Sequence, residues 1–316
     1  GARISVNGQP RVYATSPADA SFASSFDSKL DVTHLADKEL PSTQEVRDAT
    51  GLASGALVYN WKLEPGQRRE VVLVLPQTGS WQMPARFDAD KAQQQVATMW
   101  RLKLDQLKLR VPEAGQPLAN TLRTALAHML ISRVGPSLQP GTRSYARSWI
   151  RDGAMISEGL LRMGRADAVR QYVDWYAPYQ FESGMVPCCV DARGSDPVPE
   201  NDSHGELIYT IAEYWRHTGD AAFLQQMWPH VQKAWNYMEQ LRLSERTEEN
   251  RARNAGFYGM MPASISHEGY SAKPVHSYWD NFWALRGYKD AADMAAALGL
   301  ESEALTMAAS RDQFRQ

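Results

Sequence analysis

A change of period constrains this chain more than any other feature. From about Asp88 onward, apolar residues recur every 3.6 positions, whereas the residues before about 85 alternate in short β-type runs. The helical part has its own rhythm. Leu118, Leu122, Ala125, Leu126, Met129 and Leu130 form one apolar stripe after Pro117, and further helices are expected at about 152–163, 165–177, 203–217, 221–243, 277–298 and 301–315. Short turns at 163–165, 217–220 and 298–300 alternate with long loops at 135–151, 179–202 and 244–276. Two of those loops resemble each other: Gly184-Met-Val-Pro187 and Gly259-Met-Met-Pro262 each precede a helix. Helical hairpins repeated in this way stack into an array or close into a ring, because no single hairpin buries its apolar face alone.

The strand-rich start reads as a β-sandwich domain over 1–86, followed by a linker helix over 87–112 that stops before Val111-Pro112. Ile4–Val6, Val12–Ala14, Leu57–Leu63 and Val71–Leu75 are the expected strands. The nearly continuous apolar run after Pro65-Gly66 suits a strand buried on both faces. Ser16–Gly51 reads as loop with one short helix in SPADASFASSFDSKL.

Composition removes several function classes. A net charge of -2 supplies no basic field for a phosphate backbone, so no nucleic-acid partner is expected. No apolar run approaches the roughly 20 residues of a membrane span, so no membrane partner is expected either. The start, GARISVNGQP, has no charged region followed by an apolar one; a processed leader is compatible with it, which leaves a periplasmic or secreted setting open. Cys188 and Cys189 are adjacent, unlike the separated pairs of a structural zinc site, and read as packing residues. The seven histidines show no H-E-x-x-H spacing, and there is neither a G-x-S-x-G elbow nor a phosphate-binding glycine loop. No metal and no cofactor is expected.

Each long loop delivers its last residues to a helix N-terminus, at Arg147–Asp152, Pro199–Ser203 and His276–Asp280. Unpaired N–H groups and partial positive charge gather carboxylates and ligand oxygens there. A plainer role is available: Ser203 with Glu206, and Ser277 with Asp280, fit the capping box, in which the acid returns to the cap's own N–H. Capping accounts for neither the Arg151-Asp152 pair nor the crowding of Trp149, Trp279 and Trp283.

Tyr145-Ala-Arg-Ser-Trp-Ile-Arg-Asp152, Asp202-Ser-His-Gly205 running on to Gly219-Asp220, and Gly-Met-Met-Pro262 ahead of His267-Glu-Gly269 resemble the six-hairpin glycosidases, with the glucoamylase-like inverting hydrolases nearest. The likeness runs from about 88 to the end. It implies a multidomain β + α protein: a partial N-terminal β-sandwich, then an (α/α)6 toroid over 113–316. Some seven helices after the linker, against twelve in a six-hairpin ring, imply a toroid truncated to about its first half, with the remainder of the same toroid as a partner.

The resemblance implies an oligo- or polysaccharide substrate, hydrolysed with inversion by an acid and a base. By the W-x-R-D match, Trp149, Arg151 and Asp152 bind the terminal sugar; Asp202, His204, Tyr270 and Trp279 join them as substrate-binding candidates. Glu268, in the long loop, matches the family's general acid, although His267 stands where a Trp is usual. Asp280, flanked by Tyr278, Trp279 and Phe282, is the rival acid, since desolvation by aromatics raises a carboxyl pKa. Hairpins beyond Gln316 are expected to supply the base. Two alternatives stay open. One is a polysaccharide lyase on the same toroid, recruiting Tyr145, Tyr270 or His276; the other is a carbohydrate-binding protein without turnover.

Overall fold

The computed structural model describes residues 2–28, 41–76, 81–84, 86–265 and 273–316. The chain divides into two compact units, 1–100 and 101–316. In the first, β1 (Arg3–Val6) and β2 (Gln9–Ala14) form a hairpin whose two-residue turn, Asn7 and Gly8, has φ of 51° and 75°. Positive φ at both positions matches the strands' right-handed twist. β3 (Ala20–Ser24) pairs antiparallel with β4 (Ser54–Val58) in a second small sheet, and β5 (Leu73–Val74) completes the first in the order β1-β2-β5.

Three expectations are corrected here. The segment read as a short helix contains β3, followed by one 3₁₀ turn at Phe26–Ser28; its Ser and Ala residues pair with β4 instead of closing helical turns. The strand expected to be buried on both faces is two residues long, with Leu73 and Leu75 about half exposed. Leu57–Leu63 does not extend as one strand, because β4 ends at Val58.

The linker helix, α1 (Ala89–Leu104), ends earlier than the proline rule suggested and passes into a turn at Asp105. The helical unit then begins its regular course with α2 (Gln116–Ile131). Three hairpins follow: α3 (Ile150–Arg162) with α4 (Ala166–Tyr176), α5 (Ser203–Thr218) with α6 (Ala221–Glu245), and, after the short α7 (Glu248–Arg253), α8 (Tyr278–Ala297) with α9 (Glu301–Arg315). Helices α3, α5 and α8 pack side by side in that order, and each also packs on the helix that follows its hairpin turn. Gly219, at φ 68°, ends α5 in the left-handed conformation that lets α6 double back.

Helix α5 lies at the centre. Eleven of its sixteen residues are buried, which explains an apolar pattern wider than one stripe. Its closest neighbour is α8, and the approach depends on glycine: a Cβ on Gly205 would stand 2.1 Å from the Trp283 carbonyl oxygen. The core of the unit joins Leu160, Tyr172 and Tyr176 to Ile208, Ile211 and Val231, and on to Tyr288 and Met294.

The helical half also contains a small antiparallel sheet that the sequence pattern did not announce: β6 (Ser148–Trp149), β7 (Cys189–Asp191) and β8 (Gly194–Ser195). Strands of two or three residues are too short to show alternation. Their effect is positional. Trp149 pairs with Cys189, and the Ile150 N–H donates to the Cys188 carbonyl at 3.0 Å, so the 179–202 loop fixes how the chain enters α3.

Candidate functional site

The N-termini of α3, α5 and α8 meet through their side chains. Arg151, in the first turn of α3, donates from one Nη to Glu200 Oε2 at 2.8 Å and to Asp202 Oδ2 at 3.0 Å. Trp279, in the first turn of α8, donates its indole N–H to the same Asp202 oxygen at 2.8 Å. Asp202 immediately precedes α5. Three helix starts therefore converge on one fully buried carboxylate, which makes the helices parallel with their N-termini at one end.

Neither capping box forms. Ser203 is the first residue inside α5, not its cap, and Glu206 makes no return bond; both Glu206 oxygens are buried without a hydrogen-bond partner. Ser277 does cap α8, accepting from the Trp279 N–H at 3.1 Å. Asp280, however, turns away from it: Oδ2 accepts from the Ser264 hydroxyl at 2.7 Å, while Oδ1 is buried and unpartnered. Neither acid returns to a cap N–H as that reading required, because both carboxyls are buried in the interior.

Five carboxyl groups, Asp152, Glu200, Asp202, Glu206 and Asp280, surround Arg151, the one arginine bonded to any of them among the described residues. Burial alone would lower the Arg151 pKa, but Asp202 and Glu200 outweigh it and hold the guanidinium charged. Burial raises Asp152 and Glu200 above the usual carboxylate range, with Arg151 opposing in both. Glu206 is driven well above that range by burial and then by the Asp202 charge. Asp280 is pushed up to about 7, first by burial, with Asp202 and Glu200 adding to it against the Ser264 hydrogen bond. The cluster sets Asp202, held by Arg151 and Trp279, beside Asp280, whose pKa is pushed up to about 7, an arrangement suited to acid-base chemistry.

The other expected residues fall out differently. Trp149 is half-buried under the Arg147 guanidinium, which lies 5.5 Å from its ring centre, and is tilted against Tyr145. His204 is fully buried; its Nδ1 accepts the Val186 N–H at 3.1 Å and its ring meets Tyr237 edge-on. Burial depresses its pKa to about 4, so it is neutral and holds the Gly184–Pro187 loop. Glu268 and Tyr270, with His267, lie outside the described residues. Ser264 and Val275, on either side of that stretch in sequence, pair in an antiparallel bridge, and Ser264 bonds Asp280. Glu200 and Glu206 were not among the sequence candidates. The signal was present as two acids flanking Asp202, but nothing in the pattern told a buried acid from a solvated one. A separate cleft of ≈ 590 Å³, lined by Lys103, Arg133, Arg165 and Gln171 among others, contains none of the five acids.

Residues 115–247, which hold Arg151, Glu200, Asp202 and Glu206, match the amylo-alpha-1,6-glucosidase family. An uncharacterized glycosyl hydrolase of Methanocaldococcus jannaschii is 26% identical over 111 residues, 34% of this chain and 18% of that protein. A bacterial glucoamylase solved with acarbose superposes over 98% of this chain and 46% of its own, with a TM-score of 0.68 at 13% identity. These likenesses support a glucoamylase-like, six-hairpin glycosidase fold for the chain. The chain spans under half the length of the relatives it matches. In this chain the acid cluster lies at the N-terminal ends of the adjacent helices α3, α5 and α8.

Proposed function

We propose that the cluster around Arg151 and Asp202 binds the end of an oligo- or polysaccharide, and that the protein is a glycoside hydrolase working with inversion. The observation that carries this is the convergence of three helix N-termini on Asp202 alongside Asp280, a buried acid with one unpartnered oxygen and a pKa near neutrality. A polyol needs fixed donors and acceptors at short range, and the Arg151 fork with Asp152 and Asp202 supplies both. Trp149 offers the flat apolar face that sugar C–H groups pack on.

Asp280 is the better general acid now that its capping role is gone: a protonated carboxyl at neutral pH can give its proton to a leaving glycosidic oxygen. The resemblance in sequence supports Glu268 as the second carboxyl. An inverting pair stands about 6.5–9.5 Å apart to admit water between acid and base. The family match and the glucoamylase fold support an α-linked glucose polymer as the substrate class. The excess of acids over arginines favours this over a lyase reading, since it would repel a uronate.

The test is hydrolysis of α-1,4- and α-1,6-linked glucosides, with the product anomer followed by proton NMR, and binding of acarbose by calorimetry. Release of the inverted anomer, reduced about 10²-fold or more by Asp280→Asn and by Glu268→Gln, is expected. Arg151→Ala should abolish acarbose binding. Undiminished hydrolysis by Asp280→Asn removes the assignment of the acid, and retention of configuration removes the inverting mechanism.

A further inference from the structure

Cys188, Cys189 and Asp196 lie outside the acid cluster, and neither capping nor sugar binding uses them. Their Sγ, Sγ and carboxylate oxygen atoms all fall within 4.8 Å of one another. We propose that these three side chains form a binding site for a thiophilic divalent cation of the zinc class, with the fourth coordination position left to water or an outside ligand.

The distances favour a metal over simple packing. The two sulfurs are 3.6 Å apart, far beyond a disulfide bond of about 2.05 Å. Tetrahedral zinc with Zn–S bonds of about 2.3 Å separates two thiolates by about 3.8 Å, and a Zn–O bond of about 2.0 Å places a carboxylate oxygen about 3.5 Å from sulfur. Cys189 Sγ stands 3.7 Å from Asp196 Oδ2. Two edges of a coordination tetrahedron are therefore already close to their final lengths.

The shell around the ligands is built. The Cys188 carbonyl accepts from Ile150 N–H, Cys189 sits opposite Trp149 in the β6–β7 pair, and the Asp196 N–H donates to the Cys189 carbonyl at 3.0 Å. Asp196 Oδ1 accepts from the Val198 N–H at 3.1 Å, which turns Oδ2 toward the sulfurs. Outer bonds of this kind orient ligands before the metal arrives. Charge also closes. Two thiolates and one carboxylate against a dication leave -1, and Arg147 stands beside the site, on Asp196 at 2.7 Å and on Asp191 at 3.0 Å. Arg147 is able to yield the Asp196 oxygen to a cation and stay anchored on Asp191, its charge neutralising the complex. A bound cation would tie the β7–β8 turn to the entry of α3, and so to Trp149 and Arg151.

The chain has two cysteines, so any thiolate-to-metal band reports on this pair without a mutant. Cadmium chloride is titrated into the reduced, chelator-treated protein while the ultraviolet cadmium–thiolate charge-transfer absorption is followed; zinc then competes. The expected result is saturation at one equivalent and loss of the band on adding zinc. Cobalt chloride should give the intense visible bands of a tetrahedral site. Asp196→Asn should weaken zinc binding about tenfold or more, by analogy with the loss of supporting carboxylates. Absence of the cadmium band overturns the site. A band with octahedral cobalt spectra, or with unchanged affinity in Asp196→Asn, reduces it to a bare dithiol and overturns the three-ligand assignment. Cobalt spectra are read on the unaltered protein, so a poorly folded variant does not decide the matter.

Discussion

The two ends of the inner helices are built from the same residue types and behave as opposites. Toward the C-terminal halves of α5 and α8, Arg216 binds Glu213, Asp290 and Asp293, and Arg286 binds Glu213 and Asp290. Glu158 of α3 takes Arg162 and the Tyr209 hydroxyl, and Arg286 stacks 4.5 Å over the Tyr209 ring. Each of those carboxylates has an arginine, and even the fully buried Asp290 has two. At the N-terminal end, five carboxyls cluster around Arg151, and Glu206 and Asp280 keep buried oxygens without partners. Native proteins satisfy buried polar groups almost completely, so carboxyl oxygens left unsatisfied together mark a candidate site, in contrast to the fully paired end.

The largest effect that separates the ends should come from Arg151→Ala. It leaves Glu200 and Asp202 buried without their cation, and about 3–5 kcal/mol of stability should be lost in urea unfolding. A loss below about 1 kcal/mol would place this cluster in the same class as the other end. Next, Gly205→Ala should cost about 1–3 kcal/mol or more, because its Cβ meets the Trp283 backbone and forces α5 from α8 at the level of Asp202. Loss of the Trp279–Asp202 contact would show as a change in tryptophan fluorescence.

A smaller, pH-dependent effect should come from Asp280→Asn. In the native protein Asp280 holds its proton up to about pH 7, whereas the unfolded chain loses it near the ordinary carboxylate value. The native state thus binds more protons across that window. The stability that the protonated group contributes is complete below the unfolded pKa and falls as pH rises toward 7, by at most about 1.4 kcal/mol per pH unit. The variant lacks this fall, so its stability relative to the parent should improve from pH 4 to 7 and level off above. A difference independent of pH would mean that Asp280 titrates normally. Smallest of all, Arg286→Ala should cost about 1 kcal/mol or less, since the side chain is partly exposed and Arg216 still holds Asp290. A cost equal to that of Arg151→Ala would erase the contrast between the ends.

The helices and their hairpin order were legible in the chain because amphipathic period, short glycine turns and long Gly-Pro loops are local signals. The expected starts near 152, 203 and 277 fall within two residues of α3, α5 and α8. In the first unit the signals were weaker: β3 lies in a run of Ser and Ala that has no strong preference, and its state is set by β4, which lies 30 residues on. Residue types around the site were legible too, since W-x-R-D and the acids preceding each helix can be counted. Their roles were not. Ser277-x-x-Asp280 has the spacing of a capping box, and only the distant Ser264 hydroxyl draws the acid inward; Ser203-x-x-Glu206 has it as well, and only packing of α5 on every side buries the glutamate. For His204 the sequence shows an imidazole, and only the fold shows that its Nδ1 accepts the Val186 N–H. Periodicity along a chain determines which segments become helices and which face of each is apolar, but whether a charged residue is solvated, paired or left with its proton depends on groups dozens of residues away, because desolvation and Coulomb energy are set by distance in space.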